Sequence, residues 1–126
     1  LFDLVQDCDA VIYCVGILRE SSRSGTTFEG TQYDGVVRTV DAAVKNDVRR
    51  FLLMSANGVK IPGTRYQETK QRAEDLVRIS NLESTIFRPS VIFGDPRGRM
   101  EFANQLYRDM VKRPLPAFGF FSGAIP

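Results

Sequence analysis

Three short, largely apolar runs recur along the chain with little polar alternation. They are residues 10–15 (Ala-Val-Ile-Tyr-Cys-Val), residues 51–54 (Phe-Leu-Leu-Met), and residues 84–88 continued by 91–93. Continuous runs rich in β-branched and aromatic residues are typical of parallel strands that are buried on both faces. The pattern therefore predicts strands near residues 10–15, 50–55 and 84–88, mutually parallel and ordered as in the chain.

Helical periods separate these runs. Apolar residues recur at i, i+3, i+4 and i+7 spacing within residues 28–46, 66–79 and 100–111, and Pro114 and Pro116 end the third period. Alternating strands and amphipathic helices predict βαβ units: a parallel sheet, right-handed crossovers, and helices on both faces. Ligands of such sheets bind at the carboxyl ends of the strands, which here lead to Gly16, to Ser55 and Asn57, and to Pro89 and Ser90.

Composition narrows the classes of chemistry. The net charge of +2 is too small to indicate nucleic acid as a partner. The chain has no His, which excludes Ser-His-Asp and Cys-His catalysis and His-ligated metals. Cys8 and Cys14 cannot build a metal site alone and indicate buried thiols in a reducing compartment. No apolar run approaches the roughly 18 residues of a membrane span, so we expect a cytoplasmic protein. Because the chain has no His and only two cysteines, we expect no metal.

Tyr66-Gln-Glu-Thr-Lys70, at the start of a helical period, is the sharpest chemical feature. The i, i+4 spacing places both side chains on one helix face. An ammonium group beside a phenol should lower the tyrosine pKa and let it exchange a proton with a substrate oxygen. Ser55 ends the preceding strand, at the edge of the sheet where the following helix begins, so its hydroxyl could polarise a carbonyl beside Tyr66.

A strand ending in Ser followed by Tyr-x-x-x-Lys resembles the short-chain dehydrogenase/reductase superfamily. Three longer segments narrow the resemblance to its extended and atypical branches: Glu29-Gly-Thr-Gln-Tyr-Asp-Gly35 with Asp41-Ala-Ala-Val44, Val48-Arg-Arg-Phe-Leu-Leu-Met-Ser-Ala-Asn-Gly58, and Thr85-Ile-Phe-Arg-Pro-Ser-Val-Ile-Phe-Gly94. Together they look most like the epimerase/dehydratase-like group that holds the nucleotide-binding accessory subunit of respiratory complex I. The resemblance covers roughly residues 1–120 and implies a Rossmann-like α/β fold.

The resemblance also implies roles for residues of this chain and a cofactor, NAD or NADP. Tyr66 would be the acid–base residue, Lys70 would lower its pKa, and Ser55 would position the substrate oxygen. Tyr66 and Lys70 would both help bind the nicotinamide ribose. The remaining cofactor contacts would come from the ends of two strands: Cys14, Val15, Gly16, Pro89, Ser90 and Val91. Asn57 is an alternative to Ser55 near the substrate, and Gln32 stands where relatives often carry Asn or His.

The family's Gly-x-x-Gly-x-x-Gly phosphate loop is absent from the sequence. We therefore expect an N-terminally incomplete Rossmann-like domain over residues 1–113, followed by the start of a substrate-binding part over residues 114–126. The strand at 10–15 would then expose an apolar edge, through which the chain could self-associate unless residues 1–9 fold back over it.

The sequence is compatible with two classes of function. One is an NAD(P)-dependent oxidoreductase or epimerase/dehydratase-like enzyme that uses Ser55, Tyr66 and Lys70 on a small carbonyl or hydroxyl substrate. The other is a non-catalytic NAD(P)-binding accessory or regulatory subunit. The chain alone is expected to be inactive, because the segment that meets the pyrophosphate is missing from it.

Overall fold

A parallel three-stranded sheet forms the centre of the computed structural model, which describes residues 3–90. Strands β1 (Ala10–Tyr13), β2 (Arg50–Met54) and β3 (Glu83–Phe87) lie in the order β1-β2-β3. Both pairings are parallel, with Val11 opposite Phe51 and Phe51 opposite Ser84. The predicted strands, their direction and their order are therefore confirmed.

Two helices cross between consecutive strands, α1 (Asp34–Lys45) and α2 (Arg65–Ile79). Their apolar residues join one core with alternate positions of the strands, Val11, Phe51 and Leu53. The opposite face of the sheet is uncovered within residues 3–90, and Ile12 remains 65% exposed. The expectation of strands buried on both faces is thus wrong within residues 3–90, whereas the third predicted helix, at 100–111, lies outside the described residues. Both crossovers pass on the same side because they share one handedness and one direction along the sheet.

A π-helical turn, Glu29–Tyr33, precedes α1 where the sequence predicted a regular helix. The Tyr13 hydroxyl of β1 donates a hydrogen bond to the Thr31 carbonyl at 2.6 Å, inside this turn. Gly35 leaves the space that the hydroxyl occupies, since an added Cβ would collide with it. Insertions of this kind are a physical cause of irregular helix turns.

Helix α2 begins with a complete capping box. The Thr64 hydroxyl accepts a hydrogen bond from the Gln67 backbone N–H, and the Gln67 side chain accepts one from the Thr64 N–H. Such boxes satisfy amide groups that have no partner within the helix. The cap therefore fixes where α2 starts and with it the first-turn position of Tyr66.

Several predictions fall on residues 91–126, outside the described residues. They are the strand continuation at 91–93, the helix at 100–111 and the domain boundary after residue 113. No helix within residues 3–90 is long and apolar enough to cross a lipid bilayer.

Candidate functional site

Lys70 lies where the ends of β1 and β2 meet. Its ammonium group donates a hydrogen bond to the Met54 carbonyl at 2.9 Å, the last residue of β2. A Cβ added to Gly16, just beyond β1, would come within 3.4 Å of the same nitrogen. The side chain therefore reaches the carboxyl edge of the sheet, as the motif spacing predicted.

Burial controls the ionisation of Lys70. Desolvation lowers the pKa of the ammonium group, and the negative charge of Glu74 offsets part of this effect. A partly desolvated lysine that is held by a main-chain carbonyl is a fixed donor rather than a mobile surface cation.

Tyr66 lies on the first turn of α2 and packs edge-on against Phe28, with ring centroids 5.7 Å apart. Phe28 is held by Glu20, whose carboxylate accepts the Phe28 backbone N–H at 3.0 Å and pairs with Arg65 at 3.3 Å. Burial raises the pKa of Tyr66. The expected lowering by Lys70 is therefore wrong for the protein without a bound cofactor: desolvation dominates, and the ammonium group is directed to Met54.

Ser55 is buried, and its hydroxyl donates a hydrogen bond of 2.5 Å to the carboxylate of Glu74. The Arg88 Nε–H is shared between both oxygens of the same carboxylate, at 2.9 and 3.1 Å. Nη2 of Arg88 and Nη2 of Arg78 also donate to it, at 2.5 and 2.7 Å. The predicted role of Ser55 toward a substrate oxygen stays a prediction, because its hydroxyl is engaged by an internal carboxylate.

Glu74 has no exposed side-chain surface, and the two arginines that contact its carboxylate favour the ionised form. Burial alone raises its carboxyl pKa, but hydrogen bonds from Arg88 and Ser55 and the charge of Arg88 outweigh that effect and leave the pKa below its usual value. A buried carboxylate is tolerated when it is paired and hydrogen-bonded in this way. The network joins β3, α2 and the end of β2.

The loops that follow β2 and β3 are joined by main-chain hydrogen bonds. Ser55 N–H donates to the Phe87 carbonyl at 2.8 Å, and Asn57 N–H donates to the Pro89 carbonyl at 2.9 Å. Pro89 thus lies at the same edge as Ser55, where the resemblance implies the nicotinamide. Ser90 ends the described residues, and Val91 lies outside them.

Cys14, Val15 and Gly16 follow β1 and are all exposed. Cys8 is exposed as well, so the expectation of buried thiols is wrong. The three residues after β1 present an open surface next to the Lys70 ammonium group. Because glycine has no side chain, Gly16 leaves room beside the Lys70 nitrogen. A donor that is fixed at the carboxyl edge of a parallel sheet, beside an open and side-chain-free position, fits the ribose end of a nicotinamide dinucleotide. The residues present are thus compatible with the predicted cofactor.

Gln32 is almost fully buried in the π-helical turn, at 1% exposure. Its Nε2 donates a hydrogen bond to the Ile17 carbonyl at 2.9 Å, whereas its Oε1 has no hydrogen-bond partner among residues 3–90. Gln32, which departs from the family pattern, therefore holds the loop after β1 through its hydrogen bond to Ile17.

Sequence reasoning missed the buried carboxylate of Glu74 and the aromatic neighbour of Tyr66. Tyr66, Lys70 and Glu74 follow one another at four-residue intervals, which places them in one row along α2. That spacing was visible in the sequence. The contact of Phe28 with Tyr66 depends on a loop conformation that no spacing reveals.

Comparisons with known proteins identify the family of the chain. Residues 1–113 match the NAD(P)H-binding family. The chain is 33% identical over 91 residues to the NADH-ubiquinone oxidoreductase 40 kDa subunit of Neurospora crassa, covering 71% of the chain and 24% of that protein. It is 28% identical over 119 residues to an uncharacterised sugar epimerase of Bacillus subtilis, covering 84% of the chain and 52% of that protein.

Solved structures show the same fold. A Bacillus halodurans protein described as an NAD-dependent epimerase/dehydratase matches with a TM-score of 0.64 and 24% identity, over 75% of this chain and 46% of its own. A UDP-glucuronic acid 4-epimerase from Bacillus cereus, in complex with NAD, matches with a TM-score of 0.65 and 20% identity, over 88% of this chain and 42% of its own.

The fold and the family match define a Rossmann-like, NAD(P)H-binding α/β domain, as the sequence predicted. The chain belongs to the NAD(P)H-binding family, and NAD or NADP is the cofactor that this membership carries. It spans between 24% and 52% of the length of the two curated relatives.

Proposed function

We propose that this chain carries the nicotinamide-binding edge of an NAD(P)-dependent oxidoreductase or epimerase/dehydratase-like enzyme. In this proposal Tyr66 exchanges a proton with a carbonyl or hydroxyl group of a small substrate, beside the Lys70 ammonium group on the same face of α2. The bound nicotinamide would supply hydride transfer. The observation that carries the proposal is the Lys70 ammonium group, fixed at the end of β2 at 2.9 Å from the Met54 carbonyl, one helical turn from Tyr66.

In this arrangement Lys70 binds the cofactor and Tyr66 transfers the proton. Lys70 is anchored by the main chain, so it presents its remaining protons at the edge where Gly16 leaves room. Tyr66 packs edge-on against Phe28, and its phenol is protonated at neutral pH, as is usual for a tyrosine. A protonated phenol is the form that donates to a carbonyl oxygen, so the resting state suits reduction of a ketone or aldehyde.

Substitution of Tyr66 by Phe in the complete gene product tests the proton-transfer role. We expect turnover to be lost while the dissociation constant for NADH or NADPH changes by no more than about threefold, because only the hydroxyl is removed. Nucleotide sugars are the first substrates to assay, given the names of the relatives. Unchanged turnover in Tyr66→Phe contradicts the proposal, and Tyr33→Phe serves as the matched control.

The second candidate is a non-catalytic NAD(P)-binding accessory subunit. It is favoured by the raised pKa of Tyr66 and by the engagement of the Ser55 hydroxyl with Glu74. The similarity to the 40 kDa subunit of Neurospora crassa NADH-ubiquinone oxidoreductase supports it as well. Dinucleotide binding without turnover on any substrate of the panel is the result that this candidate requires.

A further inference from the structure

The hydroxyl of Ser55 has no proton left for a substrate. A serine carries one hydroxyl proton, and an ionised carboxylate can only accept hydrogen bonds. Ser55 must therefore be the donor in its 2.5 Å hydrogen bond to Glu74. The two arginines around Glu74 keep the carboxylate ionised and hold it in place.

The residue that Ser55 contacts, Glu74, also lies far along α2 from Tyr66. Glu74 follows Tyr66 by eight residues, a separation of about 12 Å along a helix axis. Ser55 is 5% exposed, so its side chain is turned into the protein rather than toward the open edge. Redirecting the hydroxyl to a substrate would remove a charge-assisted hydrogen bond from a carboxylate that has no exposed surface.

Asn57, two residues further on, has the opposite properties. It is exposed, and its carboxamide makes no hydrogen bond to any residue within 3–90. Its backbone is nevertheless fixed on two sides. The Asn57 N–H donates to the Pro89 carbonyl at 2.9 Å, and the Gly58 carbonyl accepts from Gln67 Nε2 at 2.9 Å.

These anchors place Asn57 between the turn that follows β3 and the first turn of α2. Gln67 is the residue after Tyr66, so the second anchor is adjacent to the proposed acid–base residue. A polar side chain that is free while its backbone is held by two neighbouring elements is suited to contact a ligand without a large loss of backbone entropy.

We infer that the Asn57 carboxamide, rather than the Ser55 hydroxyl, donates the hydrogen bond to the substrate oxygen on which Tyr66 acts. This inference rests on the proposed function. An amide offers N–H donors and an oxygen acceptor on neighbouring atoms. It therefore suits a substrate with a carbonyl next to a hydroxyl, as in a keto sugar or another polyol derivative. Ser55 and Glu74 then form the support beneath the site.

Steady-state kinetics of the complete gene product with NAD(P)H and a panel of keto sugars and simpler ketones test this assignment. We expect Asn57→Ala to lower kcat by about 100-fold or more, the usual loss when one donor to a developing oxyanion is removed. The dissociation constant for the dinucleotide should stay at the wild-type value. Asn57→Ser, which restores a donor, should recover part of the lost kcat.

Two further variants separate a local role from a structural one. Asn81→Ala, at an exposed position between α2 and β3, is the matched control and should leave kcat and stability unchanged. Ser55→Ala should lower the unfolding midpoint and reduce kcat by less than Asn57→Ala does. Because Asn57 is exposed, its variants should fold, and circular dichroism checks this.

The outcomes distinguish the inference from the function on which it rests. Wild-type turnover that persists in Asn57→Ala overturns the assignment of Asn57 alone. A kcat loss in a folded Ser55→Ala variant as large as that of Asn57→Ala overturns it too. A wild-type protein without turnover, or a fully active Tyr66→Phe variant, overturns the proposed function itself.

Discussion

At the scale of single residues, the ionisation of Glu74 is the feature with the largest expected effect on stability. Its carboxylate has no exposed surface and accepts hydrogen bonds from Ser55, Arg78 and Arg88. The two arginines are 42–45% exposed, so they can regain water when the carboxylate is removed. The cost of losing Glu74 should therefore fall below that of breaking a completely buried pair.

Glu74→Gln tests this network. We expect it to lower the free energy of unfolding by about 2–3 kcal/mol, below the roughly 3–5 kcal/mol seen when one partner of a buried ion pair is removed. Chemical denaturation at neutral pH measures the change. Asp41→Asn is the matched control, because the exposed Asp41–Lys45 pair should contribute only about 0.3–0.5 kcal/mol. Equal losses in both variants would contradict the role given to burial.

The same residue sets a pH dependence. The folded-state pKa of Glu74 is lower than its unfolded value, so folding favours the ionised form. The stabilisation is fully present above the unfolded pKa of about 4.3 and is lost as pH falls through the lower folded pKa. We expect the acid limb of the stability profile to be shallower in Glu74→Gln than in the wild type, measured by urea denaturation across acidic pH. Superimposable acid limbs would show that other carboxyl groups govern acid unfolding.

Single residues also show where sequence reasoning stops. The positions of Tyr66 and Lys70 on the first turns of α2 followed from their spacing, because a helix has a fixed period. The direction of the Tyr66 pKa did not follow, because it depends on burial against Phe28 from a loop 38 residues earlier in the chain. Ser55 was recognisable as a strand end, but a small polar residue does not reveal whether it faces solvent or a carboxylate 19 residues away.

At the scale of secondary-structure elements, α2 places the proposed acid–base residue through its start. Thr64 and Gln67 cap each other reciprocally, and Gln67 also donates to the Gly58 carbonyl of the preceding loop. The cap thus connects helix initiation to the loop that carries Asn57. Capping by Thr with a partner three residues later was present in the sequence, whereas the hydrogen bond to Gly58 required the folded loop.

Thr64→Ala should therefore affect both stability and the site. We expect a loss of about 1 kcal/mol in the free energy of unfolding, the typical cost of removing a capping hydroxyl. Thr64→Ser, which keeps the hydroxyl, is the control and should cost much less. Thermal unfolding of both variants measures the difference, and an alanine variant as stable as the serine variant would show that the cap does not contribute.

The strands illustrate a second limit at this scale. Their positions and parallel order followed from three apolar runs, because parallel strands connected by helices need such runs. The burial of only one face of the sheet could not be predicted from these runs, because Ile12 is as apolar as Val11 yet remains exposed. Periodicity shows that a face is apolar and does not show what covers it. The π-helical turn before α1 was not predicted either. Its Thr31 carbonyl accepts a hydrogen bond from the Tyr13 hydroxyl, which belongs to a strand that is distant in the sequence.

At the scale of the whole molecule, the sheet leaves an edge and a face that no element within residues 3–90 covers. Strand β1 pairs only with β2 among the described strands. Residues 3–9 form turns, with Val5 packed into the core, and do not pair with β1. The alternative in which the first nine residues shield this edge is therefore not supported by the described part of the chain.

The open edge of β1 and the exposed Ile12 beside it, both within residues 3–90, predict that the chain self-associates. Unpaired N–H and C=O groups along β1 can accept a strand from a second copy, and neither Pro nor Lys lies within Ala10–Tyr13 to prevent it. Ile12, on the uncovered face, would be buried by the same contact. Analytical ultracentrifugation at micromolar concentrations should show a mass that rises with concentration.

Ile12→Lys should shift this equilibrium toward the monomer, because a charged side chain on the uncovered face must be desolvated in the associated state. The substitution should leave the fold intact, since Ile12 is 65% exposed and lies outside the core. Ile79→Lys is the matched control: it adds the same charge at a residue that is 80% exposed at the end of α2, and it should leave association unchanged. If both variants dissociate equally, net charge rather than the β1 surface controls association. A wild-type chain that stays monomeric at every concentration would show that this edge and face are covered in solution.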